Sequence, residues 1–305
     1  MALTTAKITL PTDVAVGIVN KASDASTIAA LSPSTPMLFR DQDYMVFTPT
    51  AEAEVVAEGE NKSSYEQTLT TVTAKRVKLQ TTTRVTSELE WADEDNRTQI
   101  IESIVSDQAA AFARALDYVL YHAVNPKDGS ALAGYTALNT TATQVTSTGD
   151  AVEDMDALVD AVAATYDVNG IALSKTFAAQ LRKVRVPSTG LRLYPEIPMN
   201  LQPGTIEGVK AATSGTVSGV RAATATNVLA FAGDFSVIKW GLVRDMTAQV
   251  IPYGDPDGAG DLQRTNQVAY RTEGVYGFAV LDSRAIACLK AAASAASAGT
   301  GKEAK

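Results

Sequence analysis

The stretch TTVTAKRVKLQTTTRVTSELEW, Thr70 to Trp91, constrains this chain more than any other segment. Val77, Leu79, Thr81, Thr83, Val85, Leu89 and Trp91 share one side of an extended backbone, and Lys78, Gln80, Thr82, Arg84, Thr86, Glu88 and Glu90 share the other. That alternation, with its load of β-branched residues, predicts an amphipathic strand. Unbroken, the strand would run about 70 Å, whereas a compact body of this chain length measures only about 50 Å across. Either it is broken, by a bulge where Val72 and Ala74 fall out of phase with Val77, or it leaves the body as an arm.

The preceding residues supply a partner limb. From Asp43, DYMVFTPTAEAEVVAEGE predicts a strand crossed by Pro49, which restricts it to an edge or to a point without a ladder partner. Gly59, Asn61, Lys62, Ser63 and Ser64 supply a polar tip, so the two runs predict one long hairpin. Its outgoing limb is acidic (Asp41, Asp43, Glu52, Glu54, Glu58, Glu60), and its return limb carries Lys75, Arg76, Lys78 and Arg84. Such charges serve cross-strand pairing within the hairpin or docking onto a neighbouring molecule, and both readings stand.

Around the hairpin the pattern is mixed. Residues 1–40 read as an extended arm with short helical turns at Asp13 to Asn20 and Ser26 to Leu31 before the breaker SPSTP. Apolar residues recurring at three to four positions, Ile101, Val105, Phe112, Leu116, Val119 and Ala123, predict a helix from Arg97 to Ala123, about 40 Å long. Then come a helix near Val152 to Tyr166, a strand at Gly170 to Leu173, a helix at Lys175 to Val184 and a Pro- and Gly-rich loop section. Strands follow at Val228 to Phe231, Val237 to Trp240, Ala248 to Tyr253, Gln267 to Thr272 and Val275 to Leu281, ahead of a small-residue tail at 294–305.

Catalytic handles are scarce. The chain has no phosphate-binding Gly-x-x-x-x-Gly-Lys loop, dinucleotide fingerprint or His-Glu-x-x-His motif. The lone His122 is expected at a surface or helix end, and Cys288, the lone cysteine, as a small buried residue that precludes an internal disulfide. Asp255, Asp257 and Asp261 could offer oxygens to calcium, but Ala259 breaks the loop pattern and Asn266 stands where the bidentate Glu belongs, so a solvated turn is expected. No cofactor or metal is expected. A net charge of -8, from 26 Lys+Arg against 34 Asp+Glu, opposes tight binding to a phosphate backbone. No apolar run is long enough to cross a bilayer, and the start lacks a signal-peptide pattern.

The order of arm, hairpin, long helix and α/β lobe resembles the major capsid proteins of tailed bacteriophages, whose shell-forming fold is shared with encapsulins. The pieces that carry the resemblance are EVVAEGENKSSYEQ, TAKRVKLQTTTRVTSELEWAD, FARALDYVLYHAVNPKDGSALAG, IALSKTFAAQLRKVRVPSTGLRLYPE, AGDFSVIKWGLVRDMTAQV and NQVAYRTEGVYGFAVLDSRAIACL. It implies an α+β fold: an arm (1–40), an extended-loop hairpin (41–90), a peripheral domain with a spine helix (91–150 and about 246–280) and an axial domain (151–245 and about 281–293). It further implies pentamers and hexamers closing an icosahedral capsid around double-stranded DNA, the extended loop lying across an adjacent subunit. Glu58, Gly59, Glu60, Asn61, Lys62 and Tyr65 would then touch a neighbour, Lys75, Arg76 and Lys78 would meet its acidic surface, and Arg84 would be a further contact between subunits. The implied partners are a separate scaffolding protein, because the chain starts almost at the arm, together with a portal protein, a cement or decoration protein and packaged DNA held without tight binding, with no membrane. Assembly is expected in the host bacterial cytoplasm, into shells without covalent cross-links. The alternatives are an encapsulin-type nanocompartment or, from another class, a monomeric β-rich enzyme or calcium-binding module.

Overall fold

Ala74 and Val77 are both buried. In one continuous strand residues three apart point to opposite faces, so the long alternating run must change register between them. The computed structural model, which describes residues 26–35, 37, 42–47, 53–62, 64, 69–87 and 97–292, shows the break at Ala74. In chain order the elements are α1 (Thr27–Leu31), β1 (Asp43–Phe47), β2 (Leu69–Thr73), β3 (Lys75–Thr86), α2 (Arg97–Asp117) with a π-helical turn at Tyr118–His122, α3 (Leu138–Thr141), β4 (Thr143–Thr146), α4 (Ala151–Ala163), β5 (Gly170–Leu173), α5 (Lys175–Lys183), β6 (Thr205–Ile206), β7 (Val209–Thr213), β8 (Val228–Gly233), β9 (Ile238–Ile251), β10 (Gln267–Val280) and β11 (Ile286–Lys290).

The chain forms two compact units, one of residues 1–120 and 235–283, the other of residues 121–234 and 284–305. Tyr121, where the second unit begins, stacks its ring on Phe231 of the same unit, at 4.5 Å between centroids.

In the first unit β1 and β2 pair antiparallel, from Asp43 opposite Thr73 to Phe47 opposite Leu69. The backbone N–H of Ala74 donates to the Gln42 carbonyl at 2.9 Å, and the chain then enters a different sheet, ordered β3-β10-β9. The expectation of one hairpin through residue 90 is therefore corrected: β3 pairs with β10, from Lys75 opposite Phe278 to Thr86 opposite Gln267, and not with the outgoing limb. Strands expected as separate pieces are continuous in β9 and in β10. Register shifts between Glu273 and Tyr276 bend β10, breaking its alternation while its pairing continues.

Helix α2 lies on this sheet. Its Phe112 and Leu116, with Val77 and Val85 of β3 and Ala269 and Tyr276 of β10, are buried, and a large apolar side chain so placed contributes about 2 kcal/mol. Gln108 ties helix to sheet, donating to the Tyr270 carbonyl at 3.2 Å and accepting from the Thr272 hydroxyl. The helix ends in the π turn, after which Ala123 takes a left-handed φ of 51°.

The second unit is a six-stranded mixed sheet ordered β4-β11-β8-β5-β7-β6. One face is covered by α4 and α5 through Met155, Leu158, Val162, Phe177 and Leu181, packed on Ile171, Leu173, Ala230 and Leu289. Both helices start where a side chain caps their free N–H groups: Asp150 accepts from Val152 N at 2.8 Å, and Ser174 from Phe177 N at 3.2 Å. The strands β4, β6, β7 and β11 were not anticipated from the sequence. Residues 286–289 of β11 are all buried, so the period-two signal is missing there.

Candidate functional site

The ribbon β1–β2 and its outgoing loop carry the residues expected to meet a neighbour. Glu58 and Gly59 form a turn, closed by Glu60 N donating to the Ala57 carbonyl at 3.2 Å, with Gly59 at φ 88°, a left-handed conformation that favours glycine. Glu58, Gly59, Glu60, Asn61 and Lys62 are all exposed, while Tyr65 lies outside the described residues. Large apolar side chains share this exposure: Met45 is 69% exposed, Leu69 48% and Val55 101%. Among the described residues no third strand joins the ribbon. It therefore offers open backbone edges together with apolar side chains.

The four basic residues of the return limb sit elsewhere, on β3. Lys75 is exposed and Arg76 half-buried at the start of the strand. Lys78 reaches Glu273 of β10 at 3.2 Å, an exposed pair of small energetic weight. Arg84 turns toward the 252–266 loop. Its Nε donates to both Asp257 carboxylate oxygens at 3.0 and 2.9 Å, and one Nη donates to Asp255 Oδ1 at 3.2 Å and to the Gly260 carbonyl at 2.9 Å. Hydrogen bonding from the guanidinium holds the Asp257 carboxyl below the usual carboxylate range.

This clamp also bears on the calcium candidate. Both Asp257 oxygens and Asp255 Oδ1 are engaged by a guanidinium from the same chain, and Asp261 Oδ1 accepts from Arg264 N at 3.0 Å. Among the described residues no group of three His, Cys, Asp or Glu could hold a metal ion.

His122 closes the π-helical turn, the helix end that the sequence allowed, and is only 6% exposed rather than at the surface. Nε2 lies 3.0 Å from the Thr216 carbonyl, which only accepts, and Nδ1 lies 3.0 Å from Asn139 Nδ2, which only donates. The neutral Nε2–H tautomer fits both partners. Burial lowers its pKa, outweighing the backbone bonds at Thr216 and Val217. Cys288 is fully buried, and desolvation pushes its thiol up to about 12. Neither group is placed to act on a substrate.

Sequence reasoning missed what anchors α1. Asp117, 0% exposed, accepts from the Ser26 hydroxyl, from Thr27 N and Oγ1 at 3.0 Å each, and from Ile28 N at 3.4 Å. Beyond the helix Thr35 N donates to the Trp240 carbonyl at 2.8 Å, and Trp240 Nε1 to the Ser32 carbonyl at 3.1 Å. The available signal was an aspartate set into the apolar face of a long helix, with Ser26-Thr27 opening a helical turn elsewhere. No helix among the described residues is long and apolar enough to cross a membrane.

Comparison with known proteins sharpens this picture. The phage capsid family matches residues 6–291. A solved structure from Mycobacterium phage Ogopogo is similar at 35% identity and a TM-score of 0.78, covering 88% of this chain and 92% of its own. Another from Gordonia phage Cozz is 28% identical with a TM-score of 0.71, covering 88% and 87%. At 16% identity and a TM-score of 0.61, covering 88% and 90%, the capsid of an empty GTA particle computed with C5 symmetry shares the fold. No curated protein matches the chain. The encapsulin, enzyme and calcium-module alternatives are not favoured. With the family spanning nearly the whole chain and the fold shared with capsid structures, this chain belongs to the phage capsid family: it is a structural, shell-forming coat protein and not an enzyme.

Proposed function

We propose that copies of this chain assemble as pentamers and hexamers into an icosahedral shell enclosing double-stranded DNA, with the β1–β2 ribbon of each copy laid across an adjacent one. The first unit would supply the arm, extended loop and peripheral domain, and the second the axial domain. The observation that carries the proposal is the ribbon itself. A two-stranded hairpin is marginal in water and its open edges invite pairing, yet this one also exposes Met45, Val55 and Leu69. A second copy removes all three liabilities at once.

Glu58 to Lys62 and Tyr65 are the proposed tip contacts, and Lys75, Arg76 and Lys78 the proposed contacts to acidic surface. Arg84 belongs to this set by position, although its guanidinium is engaged within its own chain. A scaffolding protein during assembly, a portal, and a cement or decoration protein complete the proposed partners, with assembly in the host cytoplasm. The acidic balance of -8 suits a wall that encloses DNA without gripping it.

Replacing residues 53–62 by a short Gly-Ser turn tests the reading. The variant should keep its thermal unfolding transition but run on size exclusion as a single chain slightly lighter than the 32.0 kDa wild-type polypeptide, whereas the wild type elutes as rings or shells visible by electron microscopy. Shells of normal appearance from the shortened chain would remove the 53–62 tip from assembly.

A further inference from the structure

The second unit carries a small hairpin whose surface is made for contact. Val186 N donates to the Leu191 carbonyl at 2.9 Å and Leu193 N to the Val184 carbonyl at 3.2 Å, so residues 184–193 fold back over a tip at 187–190. The pairing sets Arg185 directly opposite Arg192, and like charges so opposed destabilise the pair. Arg182, at the end of α5, and Arg192 both lean on Met199 Sδ, at 2.8 and 3.9 Å, a weak neutral acceptor. Arg182 Nε is buried with no hydrogen-bond partner. Among the described residues none of Arg182, Lys183, Arg185 and Arg192 is paired with a carboxylate. Between these cations stand Leu191, 67% exposed, Leu193, 40%, and Met199, 74%. Arginine and methionine gathered with exposed leucines are the composition of an interface, not of a solvated loop.

The same unit displays the complement. Helix α4 turns Met155, Leu158 and Val162 to the core and exposes Glu153, Asp156 and Asp160. Their spacing of three and four residues makes one acidic ridge, and the exposed Ala157 and Ala161 beside it leave a shallow apolar strip. No ion pair joins this ridge to the hairpin within the chain. Among the described residues neither charge set has an opposite partner, and the two sets are opposite in sign while both carry exposed apolar surface.

We propose that the 184–193 hairpin of one copy docks on the exposed face of α4 of a second copy, its arginines meeting the Asp156 and Asp160 carboxylates and its leucines covering Ala157 and Ala161. The two patches differ, so the contact is head-to-tail, the kind that repeats around an axis and closes into a ring when the rotation allows. The proposal rests on the shell-forming reading and names the surface that would close its rings.

Charge exchange tests it. Arg185→Glu with Arg192→Glu, or Asp156→Lys with Asp160→Lys, should each cut the assembled fraction about tenfold or more by putting like charges in contact. The chain carrying all four changes should recover it. Circular dichroism melting checks that each variant folds, and Arg185→Gln with Arg192→Gln, which removes charge without reversing it, should give an intermediate loss. Assembly unchanged by either reversal, or a folded four-fold variant that stays dissociated, overturns the docking. So does a wild-type chain that binds labelled duplex DNA in a gel shift lost with Arg185→Glu and Arg192→Glu, since the cations would then face nucleic acid. A wild-type chain that never leaves 32.0 kDa overturns the shell reading and the docking with it, whereas normal shells from the reversed variants overturn the docking alone.

Discussion

His122 holds its place as a neutral ring between one donor and one acceptor, and that arrangement has a consequence for acid stability. Burial lowers its folded-state pKa below the ordinary 6.5. Above that value the ring is neutral whether the chain is folded or not, so its stabilising arrangement is fully present. As pH falls below about 6.5 the unfolded chain takes up a proton that the fold refuses, and stability drops by up to about 1.4 kcal/mol per pH unit until the folded pKa is reached. Lys290 is the charged group that disfavours the cation further. Urea midpoints measured between pH 8 and 5 should fall more steeply for the wild type than for His122→Gln. As His122 is the only histidine, the difference between the two curves reports this group alone. Parallel curves would mean that the ring is not held neutral.

At the scale of elements, α1 depends on a carboxylate that belongs to another helix. Its five residues are too few to hold a helix unaided. Ser26 caps it by accepting from Ala29 N at 3.2 Å, and Asp117 of α2 gathers the hydroxyl and N–H donors of its first turn. Asp117→Ala leaves those buried donors without an acceptor, and hydrogen bonds to charged groups carry the larger weights, so a loss of about 3 kcal/mol is expected. It should read out as a lower urea midpoint and as proteolytic cleavage around residues 26–35. An unchanged midpoint would show α1 to be held by Ile28 and Leu31 packing alone. The β3–β10 pairing contrasts with this, since its long ladder and buried Val77 and Val85 make it the more robust junction.

For the whole molecule the contacts proposed between copies are ribbon edges, exposed apolar side chains and ion pairs, all noncovalent. Particles boiled in denaturing detergent should therefore run as one band at 32.0 kDa, and a ladder of heavier bands would reveal a cross-link. Because several of these contacts are electrostatic and solvent-facing, raising salt should loosen assembly while leaving the fold of each unit intact.

Local, periodic features could be read from the order of residues alone. The strand at Gly170–Leu173 and the helices Ala151–Ala163 and Lys175–Lys183 follow from their flanking caps and apolar spacing, and α2 from its three-to-four repeat. The place of the chain in its family was legible too, from the order of those elements. Tertiary structure decided which strand Lys75–Thr86 would join. Its alternation suits any amphipathic partner, and only the shared burial of Ala74 and Val77 and the pairing with β10 took it from the ribbon. It also decided what the charges do. Arg84 read as a contact for a neighbour and Asp255 and Asp257 as part of a solvated turn, and only the fold set them within hydrogen-bonding distance of one another. Periodicity records which face a residue occupies; the identity of its partner across the chain is a distance that only folding fixes.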